Sequence, residues 1–98
     1  MASPLTRAID ELLRTASDET NLIETLWTLF AATVKIPPGG VQWVESRRCF
    51  FGGAGTVFEA MQRILTEDRE PTEADLRRMD QIAKELERFM VDLTGGRA

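Results

Sequence analysis

Residues 49–60 read CFFGGAGTVFEA, and three of the chain's seven glycines fall within four of these positions, directly after Phe50 and Phe51. Such a cluster is either a loop that cradles phosphate or a stretch of helix stripped of side chains so that a second helix can come close. A phosphate loop ends in a lysine followed by serine or threonine, and a dinucleotide fingerprint follows a strand and spreads its glycines over six positions. Here Thr56 and Val57 stand where the lysine would be needed, and the preceding WVESRRCFF keeps helical spacing. Trp43, Phe50, Ala54, Val57, Met61 and Ile64 form one seam across the glycines, with Phe51, Phe58 and Leu65 beside it. A seam that stays in phase predicts one helix over about residues 41–66.

A glycine inside a helix costs up to ~1 kcal/mol relative to alanine, so this pattern asks for something that offsets three of them. Close helix packing at Gly52, Gly53, Ala54 and Gly55 is the expected compensation, with the segment from Leu22 to Val34 crossing there. On that expectation, leucine at Gly53 or Gly55 would destabilise by more than ~1 kcal/mol through overpacking.

Toward the N-terminus, SPLTRAIDELLRTA offers Ser3 as N-cap and Pro4 at the first helical position, where a missing N–H costs nothing. Leu5, Ala8, Ile9, Leu12, Leu13 and Ala16 follow at steps of three and four, predicting a helix over about residues 4–16. SDETN then interrupts the apolar pattern, and Asn21 with Glu24 has the spacing of a capping box for a new helix over about residues 21–35. One long helix with a weak middle is the alternative, because the apolar phase carries through; a break at residues 17–21 is favoured. The second segment is apolar on more than one side, which suits the centre of a bundle or a contact between subunits. IPPGG ends it.

The last segment begins after Pro71 with Thr72 as N-cap and Asp75 near N3, and Leu76, Met79, Ile82, Leu86, Phe89 and Leu93 give the stripe of an amphipathic helix over about residues 72–93. Gly95 supplies its stop. Without β-alternation of useful length, the expected fold is all-α, a single domain forming an antiparallel bundle of three to four helices, alone or as a homodimer.

Composition narrows the function. Hydrophobic residues at 43% and charged residues at 29% are ordinary globular values. The longest apolar stretch is interrupted by Asn21, Glu24 and Lys35, short of the ~20 apolar residues that span a bilayer. The opening MASPLTRAIDELL has no basic leader before an apolar run, so a cytoplasmic location is expected, in a bacterial or host cell. With no histidine and a single cysteine, the ligands of a structural zinc and the partners of a Cys–His or Ser–His site are missing, and no metal or cofactor is expected. Cys49 reads as a small, partly buried apolar residue. Asp10 with Glu11, or Glu85 with Glu87, do not share a helix face, so they do not form an acid–base pair and the protein is not expected to be an enzyme. Twelve Lys and Arg against sixteen acids leave a net charge of −4, which disfavours nucleic acid and favours a basic protein surface as partner.

Candidate partner-binding residues are the arginine pairs Arg47, Arg48 and Arg77, Arg78, whose guanidinium forks suit a phosphate or carboxylate, and Trp43, beyond the Pro-Gly turn, as an aromatic anchor. Pairing of the arginines with nearby acids, such as Glu45, Asp75 or Glu85, is the plainer reading, and both tryptophans suit a core equally well.

RRCFFGGAGTVFEAMQRI followed by PTEADLRRMDQIAKELERF resembles small α-helical accessory proteins encoded by phages and prophages. Those carry an Arg-aromatic-Gly-Ala helix and a second helix ending in Glu-Leu-x-x-Phe, here Glu85, Leu86 and Phe89. The resemblance covers residues 47–89 and implies a compact protein that acts by binding; by analogy it extends to inhibitors of host defence such as anti-CRISPR proteins. The expected function is occlusion of a surface on a larger, host-encoded protein. Its rivals are a self-assembling structural homo-oligomer and a nucleic-acid-binding accessory protein.

Overall fold

The computed structural model describes residues 3–65 and 70–98; residue 66, at the end of the third expected helix, lies outside the described residues. The chain is all-α. Helices α1 (Pro4–Asp18), α2 (Leu22–Val34), α3 (Val41–Ile64) and α4 (Glu73–Thr94) follow one another, with no strand among the described residues. None of these helices is long and apolar enough to cross a membrane.

Local chemistry sets the helix ends. Ser3 caps α1 by accepting from the Thr6 N–H at 3.1 Å, with Pro4 in the first turn. The break before α2 is real: Thr20 takes the left-handed conformation at φ 58°, and the Asn21 N–H donates to the Ala16 carbonyl at 2.7 Å. The expected capping box at Asn21 and Glu24 does not form: Asn21 makes no side-chain cap, its N–H goes to the Ala16 carbonyl, and Glu24 is held by an arginine of α3. Lys35 ends α2 in the left-handed region, and Gly39 at φ 86° completes the turn into α3. At α4 the capping box is complete, with the Thr72 hydroxyl accepting from the Asp75 N–H and the Asp75 carboxylate accepting from the Thr72 N–H, each at 3.1 Å.

The contacts gather into two compact units, the first ending at Thr56 and the second beginning at Val57. The boundary falls inside α3, directly after its glycines, where the helix has least side chain with which to bind neighbours.

In the first unit α1 packs on α2, and the buried apolar residues are Ala16, Trp27 and Ala31. Trp27 is fully buried, and around it the rings of Trp43, Phe50 and Phe30 stand at centroid distances of 5.0, 5.6 and 6.2 Å. The α1 stripe is buried only toward its C-terminal end, while Leu5, Ile9 and Leu12 remain exposed.

α2 therefore meets α3 at Trp43, Arg47 and Phe50, and the close crossing expected at Gly52, Gly53, Ala54 and Gly55 is corrected. A Cβ built on Gly52, Gly53 or Gly55 has no atom of the first unit within 4 Å, and Ala54 is only half-buried. The reason is steric: four aromatic rings fill the space between the helices one to three turns earlier, and ring-sized spacers hold backbones apart.

In the second unit the end of α3 lies beside the start of α4, with Arg78 Nη1 donating to the Ile64 carbonyl at 3.2 Å. Met61, Leu65, Ala74 and Ile82 are half-buried there. Asp75 is the buried residue of α4, and no apolar residue of that helix is buried.

Candidate functional site

The residues singled out in the sequence divide between the two units. In the first, Arg47 carries the best-defined polar contact: Nε and Nη2 both donate to Glu24 Oε2, at 3.0 and 2.8 Å, and the guanidinium lies over the Phe51 ring at 4.6 Å from its centroid. This fork links α2 to α3. Its partner was missed in the sequence, since Glu24 lies 23 residues away and local spacing carries no trace of the pair. Arg48 pairs along its own helix with Glu45 at 3.2 Å, as the plainer reading had it, and both side chains stay largely exposed.

Trp43 is half-buried, set edge-on against Trp27 at an interplanar angle of 66°. Part of the ring is thus committed to the aromatic cluster. Cys49, expected to be partly buried, is exposed. Neighbouring positions on a helix point about 100° apart, and α3 faces α2 through residues 43, 47 and 50, which leaves residue 49 on the flank.

Beside the cluster lies an open groove between the end of α2 and the first half of α3. Phe30, Val34 and Ile36 line one side, Glu45, Cys49 and Phe50 the other. Phe30 is held against Phe50 at 5.3 Å between centroids, yet is 45% exposed, and Val34 is 48% exposed. These two were read only as part of the all-round apolar character of α2. That character was the available signal: a helix apolar on every side, in a unit this small, must leave one side open.

In the second unit Arg77 and Arg78 line a shallow recess with Ile64, Gln81, Ile82 and Glu85. Arg78 is turned onto the Ile64 carbonyl and lies 3.7 Å from Asp75, whereas Arg77 forms no ion pair with a described residue. The four arginines therefore do not make one basic patch within either unit. Among the described residues no group of acidic and thiol side chains is arranged to hold a metal ion. Comparison of the chain with protein-family models, curated proteins and solved structures finds no match.

Proposed function

We propose that the protein is a protein-binding module acting by occlusion, in which a preformed helical face covers a working surface of a larger protein. The observation that carries this reading is the groove of the first unit, where Phe30 and Val34 stay exposed while Phe30 is fixed by Phe50 and by the buried Trp27. Apolar side chains ordered before binding lose little rotamer freedom on contact, and aromatic anchors of this kind dominate interface energetics. Glu45 in the groove and the net charge of −4 favour a basic partner surface. A sequence with no histidine favours binding over catalysis. A cytoplasmic site of action suits this reading, and the resemblance to phage-encoded accessory proteins makes host machinery, defence complexes included, the target class we propose.

The test is affinity capture from a bacterial lysate with the wild-type chain and with Phe30→Glu, helicity being checked for both. One stoichiometric partner that the variant fails to retain is the expected result, and that partner should protect Cys49 from alkylation. A partner held equally by both chains, with Cys49 still reactive, would refute the groove as the binding face.

A further inference from the structure

α4 carries a six-position heptad seam, longer than the Leu5, Ile9, Leu12 and Ala16 stripe of α1. Leu76, Met79, Ala83, Leu86, Met90 and Leu93 recur at alternating steps of three and four along it, the spacing of a coiled-coil seam. The end of α3 occupies a different side of the helix, since Ile64 meets Arg78 and shares its recess with Arg77, Gln81 and Ile82. The seam itself is open: Leu76 is 61%, Met79 42%, Leu86 63%, Met90 56% and Leu93 50% exposed, with Phe89 beside them at 55%. We propose that this seam binds a second copy of the chain, α4 lying antiparallel on α4. The proposal is independent of the groove in the first unit.

The seam is complementary to itself. Reversed upon a second copy, it closes in matched layers, with Leu76 opposite Leu93, Met79 opposite Met90, and Ala83 opposite Leu86, each occurring twice. The small Ala83 receives the larger Leu86, whereas a parallel pair sets Ala83 against Ala83 and leaves a void at the centre. The area is sufficient: the six exposed side chains offer on the order of 600 Å² per chain, so two chains bury about 1,200 Å², where specific stable interfaces begin. The flank opposes the pair, since Asp80 would face Glu87 of the second copy, and Lys84, 2.9 Å from Asp80 on its own helix, offsets part of that repulsion. Most of a helix's stability in a protein comes from packing its apolar face, and the second copy supplies the burial that α4 lacks.

Sedimentation equilibrium of the full chain, from submicromolar to submillimolar concentration, tests this directly. We expect a monomer–dimer equilibrium that Leu86→Glu weakens by about a hundredfold or more, the loss that two buried leucine side chains, one from each copy, imply. Glu87→Lys should tighten the pair, since it brings a cation opposite Asp80 of the second copy; in a parallel pair the same position would face Ile82 and gain nothing. A chain that stays monomeric throughout, or a dimer indifferent to Leu86→Glu, overturns the proposal. A dimer that Glu87→Lys fails to tighten overturns the antiparallel register. Both positions are exposed, and should Leu86→Glu reduce helicity, Glu87→Lys, which leaves the seam intact, decides alone.

Discussion

Trp27 is fully buried, and its indole Nε1 finds no hydrogen-bond partner among the described residues. The ring therefore contributes packing at the cost of one desolvated donor, worth about 1–3 kcal/mol. Trp27→Ala empties the centre of the aromatic cluster and should cost about 3–5 kcal/mol. Trp27→Phe keeps most of the packing and deletes the stranded N–H, so its cost in chemical denaturation should be well under half of that. Equal costs for the two variants would mean that the indole N–H is satisfied. Arg47 and Glu24 pose a smaller question, since both side chains are more than two-fifths exposed and solvent screens the pair. A double-mutant cycle between Arg47→Ala and Glu24→Ala should return a coupling of about 0.5–1 kcal/mol that falls as salt is added. A coupling unaffected by salt would point to packing on Phe51 as the source of the effect.

At the scale of the helix, the glycines of α3 have open space where close contact was expected, and this reverses the expected effect of substitution. Gly53→Ala adds a methyl group that meets no atom of the first unit and removes backbone freedom from the unfolded chain, so it should stabilise by about 0.5–1 kcal/mol. The same change should slow amide hydrogen exchange around residues 52–56, the weakest stretch of α3 by helix propensity. A loss of stability would restore a close crossing at Gly53. Helix starts were legible because caps are local chemistry: Ser3, and Thr72 with Asp75, bond within one turn of themselves. The box at Asn21 was misread because the Asn21 N–H goes to the Ala16 carbonyl and Glu24 has a partner in another helix, neither of which a local rule identifies. The seam of α3 was legible as a face, but periodicity does not say which part of a face meets a neighbour. Packing of the ring cluster at residues 43–50 decided that, and left the glycines in the open. The aromatic groove was hidden for the same reason, since exposure of Phe30 and Val34 depends on where α3 crosses.

For the molecule as a whole, the division into two units gives separate spectroscopic access to each. Trp27 and Trp43 both lie in the unit that ends at Thr56, so indole emission reports that unit alone. Far-ultraviolet ellipticity reports both, with the 22 residues of α4 a large share of it. The first unit is held by a ring cluster around a buried tryptophan, whereas α4 buries no apolar residue and relies on whatever covers its seam. On the proposed pairing of two copies, mass action stabilises α4 as protein concentration rises and leaves the aromatic cluster unaffected. Thermal melts at two well-separated concentrations should therefore show an ellipticity transition whose early part moves upward with concentration, while the emission transition stays fixed. Leu86→Glu should abolish the shift in ellipticity and leave emission unchanged. Transitions that coincide at both concentrations would show instead that the two units unfold as one cooperative body.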